Sequence, residues 1–290
     1  MKGLTDPHLV DDLIIEGANQ NDTSLPHAMS SKAKADKASP WELASKLTGQ
    51  PSQKFIEATD NRLIGKIEKG LETPNNQSIL HTAPHHDEIE LAYFPFLHHL
   101  VRSTTNSNHF VYLTSGFTAV TNFYVKECID DLIQDLQEGR LQELENFTKL
   151  NDIFPQYPNY ETDVKPLLEL FEAKKPSIIT LALDPEGSGP DTHYKSLIAL
   201  SDAIDMYMKN NPDLNLRIWE YRNVWSRYKP TEAERIITVS LNSFATLHNM
   251  FNNCFVSQKS ASFPSYELNG TFSQLAKKFG SSSTIKSPTW

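Results

Sequence analysis

Cysteine is nearly missing from this chain. Only Cys128 and Cys254 occur in 290 residues, without a CxxC pair. That excludes a disulfide-stapled scaffold and points to a reduced, intracellular protein. Long apolar runs are missing too. The opening MKGLTDPHLVDDLIIEG has one basic residue and only the short run LII, less than a signal peptide needs. No window approaches the roughly 18 consecutive apolar residues of a membrane span. Basic excess is the third absence: Lys and Arg total 27 against 36 Asp and Glu, for a net charge of −9 and a pI near 5.6. Such a chain lacks the electrostatic footprint of a binder of nucleic acid or of anionic membrane, so an anionic ligand has to be met by a local cluster. A cytoplasmic protein with neither nucleic acid nor membrane as partner is expected.

The rest of the composition is globular. Hydrophobic residues make up 39% and charged residues 22%, which excludes wholesale disorder and collagen. The length suffices for one large domain or two small ones with a core that needs no staples. Residues 1–75 read as a polar, partly helical extension. NDTSLPHAMSSKAKADKASP is small, polar and free of aromatics, as in a linker. SPWELASKLTG has a helix start and a Gly stop, and IEATDNRLIGKIEKGLE is amphipathic.

From Ser78 the pattern changes to short β-branched or apolar runs: SILHTA, HFVYLTS, SIITLALD, LRIWEY and RIITVSL. Longer helical stretches separate them: ELAYFPFLHHLVRS, VTNFYVKECIDDLIQDLQE, VKPLLELFEAKK, HYKSLIALSDAIDMYMKN and SFATLHNMFNNCFVSQ. Strands alternating with helices of ten or more residues predict right-handed βαβ units, hence an α/β domain over 76–279 with a mostly parallel, Rossmann-like sheet and helices on both faces. In such sheets ligands sit beyond the carboxyl ends of the strands. Residues 280–290 read as a loose tail. Within ELAYFPFLHHL the aromatics fall at helical spacing and predict core, and Pro95 predicts a kink or break.

The first strand run ends in His81-Thr82-Ala83-Pro84-His85-His86-Asp87-Glu88. His85 and Glu88 are three positions apart, so at a helix start both can point to one side and share a metal ion. Asp87 lies between them, placed to hydrogen-bond an attacking water. A catalytic zinc site takes three protein ligands and an open position, so a third ligand is expected after another strand. The cluster His85-His86-Asp87-Glu88 also suits a solvated helix start, where acids meet the helix dipole favourably. After the third run comes Asp184-Pro185-Glu186-Gly187-Ser188-Gly189-Pro190-Asp191-Thr192-His193, with His193 at the opening of a helix; a plain Gly/Pro turn with an Asp191 or Thr192 cap reads equally well. Arg222, after the fourth run, is a candidate clamp for a phosphate or sugar hydroxyl, on the same footing as Lys195 and Arg227. Ser115 and Gly116, after the second run, are candidate pocket residues. His98-His99 lies mid-helix and reads as packing or solvated face.

Taken together these segments resemble a known family. HTAPHHDEIEL is similar to the His-Pro-Asp-Asp signature of the LmbE-like (PIG-L type) zinc de-N-acetylases, and SGPDTH to that family's Ser-Gly-His-x-x-His segment. Thr114-Ser115-Gly116 resembles its Thr-x-Gly, and Ser257-Gln258 its Ser-Gln ending. More narrowly, DPEGSGPDTHYK, YRNVW and CFVSQKSASFPS resemble the LmbE-like half of two-part bacterial proteins described as glucosamine-6-phosphate deaminase-like; no deaminase half occurs in these 290 residues. The resemblance spans about 200 residues, from near Gln77 to near Phe279. It implies His85, Glu88 and His193 as ligands of zinc or another divalent metal, and Asp87 as general base. Three positions depart from the pattern: Glu88 replaces an Asp ligand, His86 a Pro, and Pro190 a His that helps stabilise the oxyanion. The implied activity is removal of an acyl (acetyl) group from an N-acylated amino sugar or a derivative of one. The alternatives are a metal- or sugar-binding relative without catalysis, and a role in amino-sugar phosphate metabolism beside a separate deaminase protein as partner.

Overall fold

The computed structural model describes residues 7–20, 24–25, 40–49, 51–114, 122–138, 159–183, 191–222, 228–259, 261, 270–279 and 283–285. In chain order the elements are α1 (Pro7–Gln20), α2 (Pro40–Thr48), α3 (Ser52–Leu71), β1 (Ser78–Ala83), α4 (Glu88–Arg102), β2 (Ser107–Tyr112), α5 (Asn122–Gln137), α6 (Lys165–Lys174), β3 (Ile178–Ala182), α7 (Asp191–Asn210), β4 (Arg217–Tyr221), β5 (Arg235–Ile237), α8 (Leu241–Cys254), α9 (Phe272–Phe279) and β6 (Ser283–Ile285). A wide turn over Tyr160–Val164 leads into α6, and a tight one over Val256–Gln258 follows α8. None of the helices among the described residues is long and apolar enough to cross a membrane. The chain divides into two units, one built of 1–72, 228–238 and 284–286, the other of 73–227, 239–283 and 287–290.

In the second unit four strands form one all-parallel sheet in the order β2-β1-β3-β4. All five residues of β3 are buried, as expected for a strand covered on both faces. The order explains the cover. Winding runs from β1 out to β2, then returns past β1 to β3 and β4. With right-handed crossovers that reversal puts helices on opposite faces. Side chains alternate across a strand, so Leu80, Ile179, Leu181 and Ile218 pack under α6 and α7 with Phe171, Leu200 and Tyr207. Ala83, Ala182 and Tyr221 meet Ile89, Tyr93 and Leu97 of α4 on the other face. Full burial of one such side chain contributes about 1.5–3 kcal/mol. Pro95 interrupts α4 where a break was expected: Tyr93 leaves helical geometry at φ −144°, ψ 24°. The turned Tyr93 hydroxyl donates to His81 Nδ1 at 3.0 Å and accepts from Thr180 Oγ1 at 3.1 Å, while His81 Nε2 donates to Asn108 Oδ1 at 3.0 Å. A single neutral tautomer of His81 satisfies the whole chain of bonds.

The fifth expected strand run behaves differently. Only Arg235–Ile237 of RIITVSL is extended, and it pairs with β6 outside the four-stranded sheet. Its second half loses to a helix cap: Ser240 Oγ accepts from the Ser243 amide at 3.1 Å and starts α8. The tail expected to be loose supplies β6 itself.

In the first unit, Val10, Ile14 and Ala18 of α1 pack with Ala44 and Ile56 of α2 and α3. Buried Asp11 accepts from Thr59 Oγ1 at 2.6 Å and from Arg62 Nε at 2.8 Å. The last turn of α3 closes tightly on β5, so a Cβ on Gly70 would stand 2.0 Å from the Ile236 carbonyl oxygen. Only glycine fits there.

Candidate metal centre

The winding reverses between β1 and β3, and open parallel sheets bind ligands beyond the carboxyl ends of the strands at such a point. Both candidate motifs lie there. β1 leads into His85, Asp87 and the first residue of α4, Glu88, and α7, which follows β3, carries His193 in its first turn. The sheet thus brings together side chains 108 residues apart.

Their atoms converge. His85 Nδ1 lies 2.9 Å from Glu88 Oε1, His193 Nε2 lies 3.0 Å from the same oxygen, and the two nitrogens are 3.2 Å apart. All three side chains are buried, and together they can hold a metal ion. Geometry and donor chemistry fit one. Ligand atoms at about 2.0–2.1 Å from a tetrahedral ion are roughly 3.4 Å apart, so a spread of a few tenths of an ångström admits it. Two imidazoles and one carboxylate make the three-ligand count of an open site.

Neighbours fix the ligands. The His85 amide donates to Glu88 Oε2 at 2.8 Å, which leaves Oε1 for the centre. His85 Nε2 meets Thr192 Oγ1 at 2.9 Å. A metal on Nδ1 would take the lone pair there and put the ring proton on Nε2, where it would be donated to the Thr192 hydroxyl; orientation of a ligand ring by its second nitrogen is the rule in metal sites. Burial raises the Glu88 carboxyl, but the His193 and His85 hydrogen bonds and charges overcome it and bring its pKa down to about 2. Glu88 is therefore a carboxylate at neutral pH.

Asp87 has the opposite environment. It is 5% exposed, and burial, reinforced by the Glu88 charge, pushes its carboxyl well above the usual range. The carboxamide of Gln258, in the turn after α8, faces it and opposes that shift. Among the described residues neither Asp87 Oδ1 nor either end of that carboxamide closes a hydrogen bond. Two polar side chains thus stand buried beside the three ligands with capacity to spare.

Sequence reasoning left out Thr192 and Gln258. Thr192 reads only as a helix cap, although its place beside His193 was a usable signal; Gln258 carries the Ser-Gln ending without an assigned role. Arg222 follows β4 directly, at the same end of the sheet, and is half-buried. His86 stacks on Phe255 with ring centroids 5.3 Å apart. His98 and His99 are exposed, and Lys195 lies on α7 two residues past His193. Ser115, Gly116, Pro190 and Arg227 lie outside the described residues. A scan of the chain against protein-family models gives no match, and neither does a search of curated protein sequences.

Proposed function

We propose that this chain is a zinc-dependent hydrolase that removes an acyl group from an N-acylated amino sugar or a derivative of one. The observation that carries the reading is the convergence of His85 Nδ1, Glu88 Oε1 and His193 Nε2 within 3.2 Å of one another, with buried Asp87 beside them. An all-parallel sheet with these residues at its point of reversal supports the resemblance to the LmbE-like, Rossmann-like de-N-acetylases.

With two imidazoles and a carboxylate, the chemistry that zinc supplies is Lewis acidity toward a carbonyl and a water pKa near 7. The chain's residues do the rest. Glu88 supplies the negative charge of the ligand set, and Thr192 holds the His85 ring so that Nδ1 presents its lone pair. Asp87 Oδ1 takes the proton of the water that adds to the amide carbon, and returns it to the nitrogen as the C–N bond breaks, giving a carboxylate and a free amine. Arg222 is assigned to a hydroxyl or phosphate of the sugar, on its place at the carboxyl end of the sheet.

The test is amine release from N-acetylglucosamine and its derivatives by the zinc-reconstituted chain. Asp87→Asn is expected to keep the metal and lose about 10²–10⁴ in rate. Full activity in that variant would overturn the base assignment. Stoichiometric zinc with no turnover of any N-acyl amino sugar would leave a metal-binding module in place of an enzyme.

A further inference from the structure

A cavity of about 260 Å³ lies beside the candidate centre. Its wall is mostly apolar, from Val111 and Leu113 at the end of β2, Leu167 and Leu170 of α6, and Ala199 of α7, with Asp163, Lys195 and Ser196 among its polar lining residues. Thr192 closes the side toward the metal ligands, and its hydroxyl is the group that meets His85 Nε2 at 2.9 Å. One side chain therefore separates the cavity from a ligand ring. An apolar space of about 150 Å³ accepts benzene; scaled by volume, this one accommodates roughly ten carbons. An acetyl group has two.

We propose that the cavity receives a hydrocarbon group of about ten carbons carried by the substrate, so that the substrates are amphiphilic and an acetylated sugar alone leaves much of the site unfilled. This rests on the hydrolase reading for the position of the amide and on the cavity for the apolar part. A hydrocarbon can arrive from either side of the amide, as a longer acyl chain or as an alkyl group on the sugar.

Two ligand series separate these sources: N-acylglucosamines from acetyl to decanoyl, and alkyl N-acetylglucosaminides from methyl to decyl. Binding is measured by calorimetry on the full, zinc-treated chain, with zinc content and amine release read on the same preparation. Affinity is expected to rise by up to about fourfold per methylene in one series, and the series that responds identifies the source. Leu170→Trp and Leu113→Trp, at half-buried positions of the wall, are each expected to flatten the rise while zinc uptake stays unchanged. No rise in either series, with zinc bound and acetyl compounds cleaved, overturns the inference and leaves the hydrolase standing. A rise that both folded variants leave intact also overturns it. A rise flattened by either variant without zinc uptake or cleavage supports the cavity's role and sinks the hydrolase.

Discussion

His85 turns Nε2 toward Thr192 Oγ1, at 2.9 Å, and Nδ1 toward Glu88 and His193. The threonine thus orients a ring it does not help to ligate. Thr192→Val, nearly isosteric, removes the acceptor. Metal affinity is expected to fall about 10–100-fold, read by competition with a chelator, while circular dichroism stays unchanged. Undiminished affinity would show that the ring needs no such partner.

Glu88 sits at the focus of both imidazoles, so its charge and reach both matter. Glu88→Gln keeps the shape and removes the charge, and is expected to abolish stoichiometric uptake of metal. Glu88→Asp draws the oxygen back by one methylene and is expected to retain weakened binding. Equal loss in both variants would mean that geometry, not charge, dominates.

The pairing of His85 with Glu88 was legible because three residues bring two side chains to one side of a helix start. His193 was legible as a histidine opening a helix after a strand. The role of Thr192 was not, because it depends on a contact across 107 residues. Alternating strands and helices predicted the parallel sheet, and Pro95 the break in α4, whereas RIITVSL shows the limit of composition. Its β-branched residues specify an extended run but not a partner, and β5 pairs with β6 from a tail that looked featureless. Helix α1 went unremarked, though Val10, Ile14 and Ala18 recur every four residues and all are buried.

His81 makes a prediction about pH. Burial, outweighing its bond to Asn108, lowers its pKa to about 4, against about 6.5 in an unfolded chain. Between those values the unfolded chain binds a proton that the folded ring refuses. The stability associated with neutral His81 is therefore full above about pH 6.5 and is lost as pH falls toward 4 and below. Urea unfolding of the wild type should lose about 2 kcal/mol more than His81→Gln between about pH 7.5 and pH 5. A constant difference between the two proteins across that window would contradict the assignment.

Gly70 reverses an ordinary expectation. Glycine to alanine inside a helix usually stabilises by about 1 kcal/mol. Here the added carbon would meet the Ile236 carbonyl at 2.0 Å, so Gly70→Ala is expected to destabilise by about 1–3 kcal/mol, seen as a lower urea midpoint. A stabilised variant would mean that α3 and β5 are not held this close.

His85, Glu88 and His193 are proposed to hold one metal ion. Elemental analysis of the chain purified without chelator, beside His85→Ala, Glu88→Ala and His193→Ala, tests it most directly. About one zinc per wild-type chain and a large loss in all three variants are expected. No metal in the wild type after incubation with zinc, or full occupancy in any of the three, would contradict it.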